Sequence, residues 1–283
     1  MSSVYANSHF IDLRDIPADV LRHILDTAKK WKAARRGLPK GAIDEGAPLK
    51  DHTLAMVFEK SSTRTRISFE MAMHQLGGKT VVLQGDNMQL GRGESVSDTA
   101  RVMSSYVDAV MIRANSHTSV LELAEKGSVP VVNALTNRSH PCQLMADMLT
   151  LEEHLGDLKG KKVAWIGDGN NVATSLIEAA VKFEFNLSLA CPAELSPDSE
   201  TLEWAEAEGG NVSVTTDPEA AAQDSVAIFT DTWVSMGDED TDFRLKTLEP
   251  YQVNAHLMAQ AAPEAIFLHC LPAHRGEEVT ADV

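Results

Sequence analysis

The 283-residue sequence has no apolar stretch near the ~18–20 residues that a bilayer-spanning helix requires, which excludes an integral helical membrane protein. Its first residues, MSSVYANSHFIDL, lack the basic region followed by an apolar one that marks a secretory signal. They also lack the Arg-rich, amphipathic look of a mitochondrial transit peptide. Cysteine is scarce. Cys142, Cys191 and Cys270 form no metal-ligand spacing, and their odd number disfavours a disulfide framework. No metal or organic cofactor is expected, and a reducing, bacterial-type cytoplasm is the expected location. Positive charge is in short supply too. Lys and Arg number 25 against 41 Asp and Glu, a formal net charge of −16, which argues against nucleic acid or an anionic membrane as partner. An anionic small substrate stays open, because binding answers to the local field. Arg64, Arg66, Arg92, Arg101 and Arg113 all fall in the first half. Internal repeats, low-complexity tracts and long linkers are missing as well.

What the chain does have is 43% apolar residues, enough for sizeable cores, and a strict β–α rhythm. Short apolar runs predict strands at 53–58, 80–84, 108–113 and 130–134, with helical segments between them. After a long helical stretch at 140–155 the rhythm restarts, with strands at 161–167, 187–191, 212–216, 225–230 and 266–271. Strands alternating with helices imply parallel sheets covered on both faces. The expected fold is therefore α/β, two doubly wound parallel-sheet domains, 1–148 and 149–283, joined by a long helix. Ligands in such sheets bind at the carboxyl ends of the strands. Each polar motif of this chain follows an apolar run.

The most telling motif is FEKSSTRTRISFE, residues 58–70. A buried strand runs into Ser61, Ser62 and Thr63, all good helix N-caps, and then into a helical pattern reaching about Leu76. One helix N-terminus thus gathers backbone N–H groups, hydroxyls and two arginines. The N–H groups and helix dipole favour an anion, and a guanidinium grips phosphate oxygens in bidentate fashion. Arg66 is better explained by pairing with Glu70 one turn on. WIGDGNNV (165–172) invites a dinucleotide reading, but Val172 replaces the third glycine and no acidic residue ends the next strand. His140 and Gln143 lie three apart at a helix start, with Pro141 suited to a first helical position. Cys142 between them is expected to face the core, and Trp233 to pack rather than to touch a ligand. No histidine–carboxylate arrangement is evident that would make Cys270 a nucleophile.

F-E-K-x-S-T-R-T-R resembles the carbamoyl phosphate loop of the aspartate/ornithine carbamoyltransferase superfamily. HPCQ (140–143), DTWVSMG (231–237) and HCLPAHRGEEV (269–279) resemble further segments of it in the same order, and the last two are similar to its ornithine branch. The likeness extends from about His9 to Val279. It implies transfer of the carbamoyl group from carbamoyl phosphate to the δ-amine of L-ornithine, giving citrulline and phosphate, by default in arginine biosynthesis. Transfer to putrescine or an acylated ornithine, or a silent regulatory paralogue, are the alternatives.

The resemblance also implies roles. Ser62, Thr63, Arg64 and Thr65 would hold the phosphate. Arg113 would touch phosphate and carbonyl oxygen, His140 would polarise that oxygen, and Gln143 would bind the carbamoyl nitrogen. Gln89, on a loop reaching a neighbouring subunit, would complete the pocket of a homotrimer. Asn171, Asp231, Ser235 and Met236 would bind ornithine. Cys270 would lie near its δ-amine, assisting catalysis there with Asp231 and lining the carbamoyl phosphate site, and the Leu271 carbonyl would accept from the carbamoyl NH2. The resemblance implies a further C-terminal segment beyond the sequence given. That segment would carry another arginine for carbamoyl phosphate and a closing helix, and poorer binding is expected wherever it is lacking.

Overall fold

The computed structural model describes residues 9–84, 94–234 and 240–283. The chain divides into two compact units, Met1–Cys142 and Gln143–Val283.

In the first unit the strands are β1 (Thr53–Phe58), β2 (Lys79–Gln84), β3 (Ala109–Arg113) and β4 (Val131–Leu135). The helices are α1 (Ala18–Ala34), α2 (Thr63–Gln75), α3 (Val96–Ser104), α4 (His117–Lys126) and the start of α5 (Pro141–Leu155). All the pairings are parallel, in the order β2-β1-β3-β4. Alternation along β1 sorts its side chains between two cores, as a period of two requires. Leu54, Met56 and Phe58 pack with Met73 of α2, while Ala55 and Val57 pack with Ala100, Met103, Val120 and Leu123 of α3 and α4. With both faces covered, β1 reads as an unbroken apolar run.

The second unit has β5 (Lys162–Ile166), β6 (Asn186–Ala190), β7 (Val212–Thr215), β8 (Ala227–Thr230) and β9 (Ile266–His269). Its helices are the rest of α5, α6 (Asn171–Lys182), α7 (Ser199–Ala207), α8 (Pro218–Ala222), α9 (Thr241–Leu248) and α10 (Ala255–Met258). The sheet is again parallel, ordered β7-β6-β5-β8-β9. α6 is buried along nearly its whole length, from Val172 to Ala180. Its run of small and β-branched residues allows that close approach to the sheet. In both sheets the strand order reverses direction once, between β1 and β3 and between β5 and β8. Such reversals leave a crevice at the carboxyl edge, where open α/β sheets take their ligands. Among the described residues, no helix is long and apolar enough to cross a membrane.

Candidate functional site

The β1/β3 crevice of the first unit is built by register. Phe58 pairs with Arg113, and the Glu59 N–H donates to the Arg113 carbonyl at 3.0 Å. The Glu59 carboxylate then accepts from the Asn115 N–H at 2.7 Å, which ties the exits of the two strands together. From there the chain turns into α2 with Ser62 at the N-cap. Its backbone is extended, as a cap requires, but its hydroxyl makes no capping bond and donates instead to Thr65 Oγ1 at 2.9 Å. The Ser62 side chain therefore makes no bond to the first-turn N–H groups. Thr63 and Arg64 are exposed at this end, and Arg66 pairs with Glu70 at 3.2 Å, as expected.

His140 directly precedes α5, at the end of the loop that follows β4. Burial, followed by the nearby Arg113 charge, depresses its pKa to about 3, so the ring is neutral at pH 7. A neutral imidazole beside a guanidinium can hydrogen-bond a carbonyl oxygen without adding a second buried charge. The Cys142 thiol donates to the Asn133 carbonyl at 3.3 Å, and burial pushes its pKa up to about 12, so it is inert. Gln143, one turn into the helix, donates to Asp147 at 3.0 Å. Burial raises the Asp147 pKa to about 7 even though that bond opposes the rise.

The second unit builds its own polar cluster at the β5/β8 crevice. The Asp231 carboxylate, just past β8, accepts from the Asn170 amide at 2.9 Å, the Cys270 thiol at 3.0 Å and the Thr232 N–H at 2.8 Å. Asn170 also caps α6, accepting from the Val172 and Ala173 N–H groups. Pairing of Thr230 with His269 is what sets Asp231 beside Cys270.

The His269 ring is engaged on both sides: Nδ1 accepts from the Leu271 N–H at 2.8 Å, and Nε2 lies 3.2 Å from the buried Glu278 carboxylate. A histidine–carboxylate pair therefore does exist here, contrary to the sequence reading, but neither ring nitrogen is left to activate Cys270. Among the described residues, Asp231, His269 and Cys270 offer ligand atoms within 4.8 Å of one another, as do His274, Glu277 and Glu278. A cation at the first trio would have to displace the bonds just described.

Comparisons with known proteins agree across the chain. Residues 8–153 match the pattern of the aspartate/ornithine carbamoyltransferase carbamoyl-P binding domain, and residues 159–283 match that of the family's Asp/Orn binding domain. The chain belongs to the aspartate/ornithine carbamoyltransferase family. It is 56% identical over 275 residues to an ornithine carbamoyltransferase of Brucella ovis, covering 97% of this chain and 86% of that protein. It is also 56% identical over 272 residues to one of Caulobacter vibrioides, covering 96% and 88%. The solved ornithine carbamoyltransferase of Pyrococcus furiosus superposes with a TM-score of 0.92 at 45% identity, covering 99% of this chain and 89% of that one. The anabolic enzyme of Campylobacter jejuni gives 0.89 at 39%, covering 97% and 89%.

Against this family's motifs, the first unit brings Ser62, Thr63, Arg64, Thr65, Arg113 and His140 to one sheet edge. The second brings Asp231, Cys270 and Leu271 to another. Asn171 is the first residue of α6, half-buried beside them. Gln89, Ser235 and Met236 lie outside the described residues. Trp233 is buried, as expected of a packing residue.

Sequence reasoning missed several contributors to the carbamoyltransferase motifs. Asn170 grips Asp231, and the doubled Asn at a helix start was the available signal. Arg244 of α9 donates to the Trp233 carbonyl at 2.6 Å and pairs with Asp168, joining the GDGNN turn to the DTWVSMG segment. Nothing in a lone arginine on a short helix points to that role. The second glycine of the turn serves packing: a Cβ on Gly169 would fall 2.2 Å from the Pro197 nitrogen.

Proposed function

We propose that the protein transfers the carbamoyl group of carbamoyl phosphate to the δ-amine of L-ornithine, releasing L-citrulline and phosphate. The observation that carries the amine half of this reading is the Asp231 carboxylate. Its bonds come from an amide, a thiol and a main-chain N–H, all neutral, so its charge is available to an ammonium. An aspartate as substrate would bring a second carboxylate and would want cations in that place.

In this reading residues 1–148 form the carbamoyl phosphate domain and 149–283 the ornithine domain. Ser62, Thr63, Arg64 and Thr65 hold the phosphate at the N-terminus of α2, where dipole and N–H groups suit an anion. Arg113 and His140 donate to the carbamoyl oxygen, and Gln143 and the Leu271 carbonyl take the NH2 group. Asp231 pairs with the α-ammonium of ornithine, while Asn171, Ser235 and Met236 line its backbone. A lysine-like δ-amine has a solution pKa of ~10.4, so a cationic surrounding that lowers it raises the reactive fraction.

The neutral amine attacks the carbonyl carbon, and the new C–N bond forms as charge moves onto the oxygen. Arg64, Thr65, Arg113 and His140 stabilise that oxyanion. The C–O bond to phosphate then breaks, and the leaving phosphate takes the amine proton. Positioning two small reactants supplies much of the rate. We further place the enzyme in the cytoplasm, in arginine biosynthesis, as a homotrimer whose Gln89 loop serves a neighbouring subunit.

Citrulline formation from carbamoyl phosphate should proceed with ornithine and fail with putrescine, acetylornithine and aspartate. Turnover with another of these amines would overturn the assignment of Asp231. No turnover with any of them would mean a silent paralogue.

A further inference from the structure

The segment before α1 carries a buried polar network that the carbamoyl-transfer chemistry does not explain. Residues 9–13 run beside β4: Phe10 bridges to Val132, its N–H donating to the Val131 carbonyl and its carbonyl accepting from the Asn133 N–H, both at 2.8 Å. This lays Asp12, only 2% exposed, against the loop that leads from β4 to α5. One Asp12 oxygen accepts from the Ser139 hydroxyl at 2.5 Å. The other lies 3.3 Å from His117 Nε2 and 3.8 Å from Arg138 Nε.

Ser139 is the residue before His140, and every polar atom it has is held. Its hydroxyl also accepts from the Asn133 amide at 2.9 Å, its N–H donates to Thr136 Oγ1 at 3.2 Å, and its carbonyl accepts from the Thr136 N–H at 2.9 Å. Thr136 Oγ1 accepts a second N–H, from Arg138, and sits 3.0 Å from His117 Nδ1. Burial alone would raise the Asp12 pKa. The hydrogen bonds from His117 and Ser139 and the charges of His117 and Arg138 outweigh it and keep the carboxyl below its ordinary range.

Burying an ionised carboxylate costs several kcal/mol per ion, and apolar replacements of such clusters are often neutral or stabilising. Stability alone therefore does not account for this arrangement. We infer that Asp12 is a positioning residue for the reaction, fixing through Ser139 the backbone from which the His140 ring meets the carbamoyl oxygen.

This inference rests on the carbamoyl-transfer reading of His140, and its test separates the two. Asp12→Asn and Ser139→Ala are each made in the wild-type and the His140→Asn backgrounds. Steady-state constants are then measured for both substrates, with inorganic phosphate as inhibitor. Misplacing a reacting group by about 1 Å costs about a hundredfold, so kcat should fall about ten- to a hundredfold in the wild-type background. The ornithine KM and the phosphate inhibition constant should stay within about twofold of wild type, since neither depends on the carbonyl contact. In the His140→Asn background neither substitution should lower kcat further, because the ring they orient is gone. Losses that multiply in that background, or an unchanged kcat in the wild-type background, would overturn the inference. Should Asp12→Asn fail to fold, Ser139→Ala decides alone, since it removes one hydroxyl and leaves Asp12, His117 and Arg138 together. A wild-type enzyme without turnover would instead sink the transfer reading itself.

Discussion

Asp231 and Cys270 show how neighbouring polar side chains divide labour. The thiol donates to the carboxylate, so its proton is held, and His269 has both ring nitrogens engaged elsewhere. A thiolate nucleophile is not set up, and Cys270 is better suited to lining the amine's path. Cys270→Ala should therefore keep measurable citrulline formation. Asp231→Asn should instead raise the ornithine KM about ten- to a hundredfold, as loss of a charged hydrogen bond of about 1.5–3 kcal/mol implies. Carbamoyl phosphate binding should be unchanged in Asp231→Asn. Complete loss of turnover in Cys270→Ala, with ornithine still bound, would restore a covalent role for the thiol.

At the scale of elements, the site is made by strand ends and the turns that leave them. β5 ends in a turn whose second glycine, Gly169, packs on the backbone of residues 196–197 and accepts no side chain. The turn delivers Asn170 as the cap of α6 and the partner of Asp231. Gly169→Ala pushes a Cβ into main-chain atoms, an overpacking that costs roughly 1–3 kcal/mol. Its urea midpoint should fall, and its ornithine KM should rise more than its carbamoyl phosphate KM as Asn170 shifts. Equal changes in both KM values would mean that the turn does not bear on ornithine. The glycines were visible in WIGDGNNV, and the missing third glycine turned the reading away from a dinucleotide. What they pack against was not visible, because Pro197 belongs to the connection after β6.

Across the whole molecule, two buried titratable groups on or beside α5 pull stability in opposite directions with pH. His140 is neutral down to about 3 in the fold but takes a proton near 6.5 when unfolded, so its contribution is lost as pH falls through that window. Asp147 keeps its proton up to about 7 in the fold but gives it up near 3.8 when unfolded, so its contribution is lost as pH rises from there. Asp147→Asn mimics the neutral acid at every pH and keeps an acceptor for Gln143. Its stability relative to wild type, from urea unfolding, should therefore improve between about pH 4.5 and pH 8. A gap that stays constant across that range would show that Asp147 is not held protonated. The net charge of −16 does not obscure the comparison, since the two proteins differ in one titratable group.

Periodicity and motif order in the sequence were enough to place nine parallel strands, two α/β units and the family. These signals are local: an apolar run, a helix start, a short spelling such as STRTR or HCLP. They also named the residues that end each strand, Arg113, Asp231 and Cys270 among them, because ligand groups in parallel sheets gather at the carboxyl edge. Tertiary structure alone decided which of those residues hold one another. Register set Arg113 beside the α2 turn and Asp231 beside Cys270, and a main-chain bridge from Phe10 to β4 brought Asp12 to Ser139 across 127 positions. Such contacts are non-local, and the periodicity of one segment holds no record of which distant segment will lie against it.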